Sequence, residues 1–317
     1  MQTQTSAVVN NAQKILQQVR KAVVGKDKVL MWTLSAILAG GHILLEDIPG
    51  VGKTTMALAF SKAMSLAHNR VQFTPDVLPS DVTGYSVINQ ANGELVYKPG
   101  AVLCNLFLAD ELNRATSRTQ SALLEAMEEG QVTVDGVTHV LPEPFVVIAT
   151  QNPTGAAGTQ QLPDSQMDRF MIRLSLGYPS IKDEIAMVTS RQGTDPLQTL
   201  KRVVSAQELV GMRQLVAGTY VAPEVVAYIV ELVASTRQHP AIARGASPRA
   251  TLAVTAMSKS VAQLRGRDFV VPKDVQEVFV HTVEHRLLLS QRAEAEGVTT
   301  HAVLQQILGN VSAPKLR

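Results

Sequence analysis

Between Asn11 and about Ala39 the apolar positions recur at helical spacing, and the break at Val24-Gly25-Lys26 divides them into two helices. The period then changes. His42-Ile-Leu-Leu-Glu46 is a short apolar run that ends in a glycine- and proline-rich loop, the pattern of a buried strand, and a helix follows from about Lys53 to Met64. Further strands are expected at Arg70–Thr74, Leu103–Ala109, Phe145–Thr150 and Met171–Ser175, with helical segments between most of them, notably Thr119–Glu129. Strands alternating with helices predict an α/β domain built on a parallel sheet. Tyr85–Lys98 and Gln131–Val140 depart from it: turn signals at Asn92-Gly93 and Asp135-Gly136 make each a hairpin inserted into the sheet core. Gly193-Thr-Asp-Pro196 reads as a linker, and beyond Ser205 only helical patterning is found, at 205–217, 223–236, 248–264, 272–289 and 299–308. The expectation is an α/β domain over 1–192 and an all-α domain over 193–317.

Composition narrows the function classes. Of 317 residues 45% are hydrophobic and 18% charged, with a net charge of +2, so the chain is neither disordered nor a dedicated polycation for nucleic acid or anionic lipid. Its one cysteine, Cys104, lies in an apolar run and reads as a small buried hydrophobe, which together with the polar N-terminus points to a reducing, cytoplasmic setting. Val29–Leu45 is uncharged but interrupted by Gly40-Gly41, and no membrane span is expected.

The chemistry is concentrated in three places. Asp47-Ile-Pro49-Gly50-Val51-Gly52-Lys53-Thr54-Thr55 joins a predicted strand to a predicted helix: the glycines let backbone N–H groups curl around phosphates, Lys53 reaches the β- and γ-phosphates, and the Thr54 hydroxyl is placed for Mg²⁺. Asp47 stands where such loops usually carry their first glycine. Asp110-Glu111 closes the third strand, with Asp110 suited to the metal and Glu111 to the attacking water. Asn152 closes the fourth, in reach of a γ-phosphate or that water.

Leu45-Glu-Asp-Ile-Pro-Gly-Val-Gly-Lys-Thr54, Phe73-Thr-Pro-Asp-Val-Leu-Pro-Ser-Asp-Val-Thr-Gly84, Leu108-Ala-Asp-Glu-Leu-Asn-Arg-Ala115, Ile148-Ala-Thr-Gln-Asn-Pro153, Leu162-Pro-Asp-Ser-Gln-Met-Asp-Arg-Phe170 and Gly245-Ala-Ser-Pro-Arg-Ala250 appear in the order of the MoxR family of AAA+ ATPases, which the chain closely resembles from about Val24 to Leu289. The resemblance implies a P-loop AAA+ domain with a C-terminal helical lid, ATP and Mg²⁺ as cofactors, and ATP seated between the two domains and between subunits. It also implies a homo-oligomer, usually a ring of six, that remodels or matures a protein complex, often with a von Willebrand factor A domain partner. It makes Gly50, Gly52, Lys53 and Thr54 the Walker A residues, Asp110 and Glu111 Walker B, Asn152 sensor 1, Arg169 an arginine finger for a neighbouring subunit, Arg249 the sensor 2 arginine, and Val24 and Gly25 part of the adenine pocket. Arg114 and Arg118 are candidates for a second contact in trans. Thr74–Gly84 and Gln131–Val140 resemble inserts that face a pore or partner, or serve as stabilising flaps.

Other readings are a nucleic-acid-stimulated motor or loader, which the charge and lack of aromatic-basic interleaving disfavour, a metal-chelatase ATPase subunit, and a nucleotide switch that does not hydrolyse. His281-Thr-Val-Glu284-His285 spells a zinc-peptidase pattern, but no third ligand follows at a suitable spacing, and the pentad reads as packing and hydrogen bonding in the lid.

Overall fold

A computed structural model describes residues 2–48, 50–152, 162–190, 193 and 195–315; Pro49, Pro153 and part of the linker, including Gln192 and Thr194, lie outside the described residues. Two helices, α1 (Gln2–Ala22) and α2 (Asp27–Leu38), lead into β1 (Ile43–Glu46) and α3 (Lys53–Ala63). Then come β2 (His68–Gln72), α4 (Pro79–Thr83), the antiparallel hairpin β3 (Gly84–Ile88) with β4 (Leu95–Pro99), β5 (Leu106–Asp110) and α5 (Ser117–Glu129). A second hairpin, β6 (Gln131–Val134) with β7 (Val137–Val140), precedes β8 (Val146–Gln151), α6 (Asp164–Met167), β9 (Ile172–Leu174) and α7 (Ile181–Ser190).

The five long-range strands pair in parallel in the order β2-β5-β8-β1-β9. Their side chains alternate between two cores, as the two-residue period of a strand requires. Ile43, Leu45, Leu106, Leu108, Val146 and Ile148 face one apolar cluster, whereas Leu44, Phe107, Ala109, Val147 and Ala149 face the other. Burial on both faces explains why these strands read as continuous apolar runs. Cys104 is buried in the second cluster, where desolvation pushes its thiol up to about 11, so it behaves as a hydrophobe.

Both hairpins form where turn signals were read: Asp135 and Gly136 adopt the left-handed conformation that a tight hairpin turn demands, as does Gly93. The hairpins are not independent. His139 of the second stacks on Tyr97 of the first, ring centroids 3.6 Å apart, while Ile88, Leu95, Val137 and Val140 remain exposed.

The C-terminal region holds α8 (Ala206–Ala217), α9 (Pro223–Gln238), β10 (Ile242–Arg244), α10 (Pro248–Leu264), α11 (Pro272–Val283), β11 (Leu288–Leu289), α12 (Gln291–Ala295) and α13 (Thr300–Asn310). The region is the helical one expected, with two differences of detail. A short antiparallel pair, β10 and β11, joins the helices. The helix expected to reach Leu289 ends at Val283, since residues 284–286 tighten into a 3₁₀ turn that aims His285 and Arg286 at the Phe170 carbonyl. The first apolar cluster runs unbroken from Val8 of α1 through β1 to Ile307 of α13, so the helical region is welded to one face of the sheet through α1 and α2. Among the described residues no helix is long and apolar enough to cross a membrane.

Candidate functional site

The sheet order places β1 and β5 on either side of β8, so the loops that follow these three strands emerge together at their C-terminal edge, where open parallel sheets receive ligands. There Gly50, Val51, Gly52, Lys53, Thr54, Thr55, Asp110, Glu111 and Asn152 line a single cavity of about 590 Å³. Gly50 and Gly52 have φ of 87° and 97°, a conformation that strains any side chain; the loop can curl only because both lack a Cβ. Lys53 is buried, and its ammonium donates to the Asp47 carbonyl at 2.6 Å and the Ile48 carbonyl at 3.3 Å. Desolvation lowers its pKa, opposed by the charges of Asp47, Asp110 and Glu111.

Asp110 and Glu111 are consecutive yet differently held. The Thr150 hydroxyl donates to Asp110 Oδ1 at 2.6 Å and Arg70 to Oδ2 at 2.7 Å. Glu111 sits at φ 56°, which turns its carboxylate off the strand, and its own N–H donates to Thr150 Oγ1 at 2.8 Å. Arg114 donates to Glu111 Oε2 at 2.8 Å and Asn152 to Oε1 at 3.3 Å. The Arg114 hydrogen bond, aided by Asn152, holds this carboxyl below the ordinary range against partial desolvation, so it is a base at neutral pH. Asn113 buttresses Asn152 in turn, its side chain bonding the Asn152 backbone on both sides.

Arg169 and Arg249 lie elsewhere. Arg169 Nε donates to Glu128 Oε2 at 2.9 Å, and Arg249 donates to Oε1 of the same carboxylate. They border a second cleft of about 330 Å³ with walls from Met127, Met171, Leu252 and Ala256. Beneath them Asp168 accepts from Arg286 at 2.7 Å and from Ser247 Oγ at 2.7 Å, fastening three separated sequence blocks. His42 borders the same cleft, donating through Nε2 to the Met127 carbonyl and accepting through Nδ1 from the Val147 N–H, and burial pushes its pKa down to about 4.

A protein-family model described as ATPase family associated with various cellular activities matches residues 42–172, and an AAA lid domain model matches 234–307. The uncharacterised protein YeaC of Bacillus subtilis is 43% identical over 96% of this chain and 95% of its own length. Chaperone MoxR1 of Mycobacterium tuberculosis is 37% identical over 98% of this chain and 84% of its own. A crystal structure of a candidate ATPase from Cytophaga hutchinsonii superposes with a TM-score of 0.91 at 36% identity, covering 99% of this chain and 98% of that one. The chain belongs to the MoxR family of AAA+ ATPases.

Among the described residues of this MoxR-family chain, those lining the phosphate-loop cavity run from Ala22 to Met187, while the helical region packs on α1, α2 and the β9 side of the sheet. Arg114 pairs with Glu111 of its own subunit. Val24 and Lys26 line the cavity, and Gly25 between them lies against Asp183 at the start of α7.

Pro49 lies outside the described residues. His285 donates to the Phe170 carbonyl while His281 packs against Trp32, so the H-x-x-E-H pair turns to different partners. Sequence reasoning passed over Arg70, Thr150 and Glu128, for which a partner across the fold, and no local motif, is the signal.

Proposed function

We propose that this MoxR-type ATPase hydrolyses ATP with Mg²⁺ at the phosphate-loop cavity, within a homo-oligomeric ring, six subunits by family resemblance, and couples the cycle to remodelling or maturation of a client protein complex. One observation carries the catalytic part: an ionised Glu111, oriented by Arg114 and Asn152, shares one cavity with the phosphate loop and Asp110. In this reading the backbone of Gly50–Thr55 and Lys53 bind the triphosphate, Glu111 takes up the proton of the attacking water, and Asn152 positions that water. Thr54 and Asp110 supply hard oxygen donors, the set Mg²⁺ prefers, beside the phosphate site, and the ion would neutralise charge developing on the phosphates.

Arg169 and Arg249 then serve the neighbouring subunit's triphosphate. Support comes from their lining a cleft other than the phosphate-loop cavity and from the exposed apolar stripe Ile181, Ile185 and Val188 on α7, a helix with no buried residue that calls for a protein neighbour. The two stacked hairpins, whose strands expose Ile88, Leu95, Val137 and Val140, are the elements we assign to client contact, and a von Willebrand factor A domain protein is the partner the family suggests. The ATPase domain over 1–192, the lid over 193–317 and a cytoplasmic location complete the reading.

Glu111→Gln tests it. The variant keeps ATP affinity within about threefold but loses turnover by about 10²–10⁴, the usual contribution of a positioned acid–base group. ATP-dependent co-purification of a defined complex with this variant identifies the client. Full turnover would remove Glu111 from its role.

A further inference from the structure

The cavity has two chemically different halves. Lys53, Asp110, Glu111 and Asn152 make one polar; Val23, Val24, Pro179 and Met187 give the other its apolar surface, edged by Lys26 and Glu184, and Tyr178 stands among these with 78% of its surface exposed. A nucleoside triphosphate has the same division, a polyanion joined to a flat aromatic base.

An exposed ring is a useful wall only if its backbone is fixed, and here it is fixed from both sides. Asp47, 6% exposed, accepts from Ser175 Oγ at 2.9 Å, from the Leu176 N–H, and from the Gly177 N–H at 3.0 Å, so the residues just before Tyr178 are clamped to the phosphate loop. Gly177 turns the chain with φ 60°, and Lys26 Nζ then donates to the Tyr178 carbonyl at 2.8 Å, tying it to the segment that carries Val24. A glycine at position 47 would make none of these bonds. The aspartate that replaces the usual first glycine of the loop therefore has a structural task that a local motif does not show.

Resting on the ATP-site reading above, we propose that Tyr178 is the base-stacking residue of this site and that Asp47 is its positioning residue, linking the phosphate loop to the base wall. Stacking recognises any flat base, so the pair contributes affinity for the nucleoside part of the ligand and nothing for its phosphates.

The test separates these parts. Binding of a non-hydrolysable ATP analogue and of inorganic tripolyphosphate, both with Mg²⁺, is measured by calorimetry on the full chain. Tyr178→Ala weakens the ATP analogue by about five- to a hundredfold, Tyr178→Phe stays within about twofold, and tripolyphosphate binding is unchanged in both. Asp47→Asn weakens the analogue by a smaller factor, again sparing tripolyphosphate. Unchanged analogue affinity in Tyr178→Ala overturns the proposal, as does a loss of assembly without a loss of affinity, which would make Tyr178 a subunit contact. Equal losses for both ligands in Asp47→Asn would show that Asp47 shapes only the phosphate loop. Should the unaltered protein bind neither ligand, the ATP-site reading itself fails, a result distinct from all of these.

Discussion

The two clefts of this molecule treat positive charge in opposite ways. At the phosphate loop two guanidiniums are held by the acids proposed to be catalytic: Arg70 pairs with Asp110 and Arg114 with Glu111. In the second cleft Arg169 and Arg249 share one carboxylate, Glu128, with all three side chains about a third to a half exposed. Exposed ion pairs contribute only about 0–1 kcal/mol each, so these cations can leave Glu128 for a triphosphate at little cost. Directly below, Arg286 pairs with Asp168 with its side chain only 3% exposed, and that pair cannot be given up cheaply. One cleft thus keeps its guanidiniums on its own acids and leaves the phosphates to the loop and Lys53; the other holds two releasable cations on a fixed one.

The largest effect should come from breaking the releasable pair. Arg169→Ala is expected to lower turnover of the assembled protein by about 10³ or more, the scale of an arginine finger, with nucleotide affinity of the isolated subunit little changed. Mixed with unaltered subunits, the variant should depress activity more than in proportion to its share; a strictly proportional loss would place the finger in its own subunit's site.

The fixed pair predicts a different signature. Asp168→Ala strands the Arg286 charge in the interior and should cost about 3–5 kcal/mol in urea unfolding, whereas Arg169→Ala should cost no more than about 1 kcal/mol. Equal losses would erase the distinction between pin and releasable cation.

How much of this was legible depends on whether a contact is local in sequence. Gly50 to Thr54 form their loop within a few residues, and the hairpin turns at Asn92-Gly93 and Asp135-Gly136 are two-residue signals, so these were read correctly. Asp47 was visible as an anomaly but not its use, because its partners lie 128–130 residues away. Glu128 has nothing around it to mark it; only the fold brings Arg169 and Arg249 to it. The α7 helix escaped because its apolar residues point to solvent and ten residues give little periodicity. Helical periodicity also says which face is buried and never against which neighbour, so the packing of α8 and α10 on α1 and α2 was not legible.

The smallest effect concerns the guanidinium held on Glu111. If Arg114 serves Glu111 rather than a neighbour, its removal should change when Glu111 is ionised. The Arg114 hydrogen bond is the largest influence holding that carboxyl low, so in Arg114→Ala the pKa rises toward the ordinary carboxylate value of about 4.3. At neutral pH both proteins carry the ionised base, and the ratio of their rates is flat. As pH falls through the ordinary carboxylate range the variant protonates first, so its acid limb lies at higher pH and the ratio of unaltered to variant activity climbs, by up to tenfold for each unit of difference. The profile of kcat against pH measures this, and it also discriminates the two uses of the arginine. A cation working on a neighbour's phosphate would lower the rate at every pH by the same factor and leave the acid limb where it was.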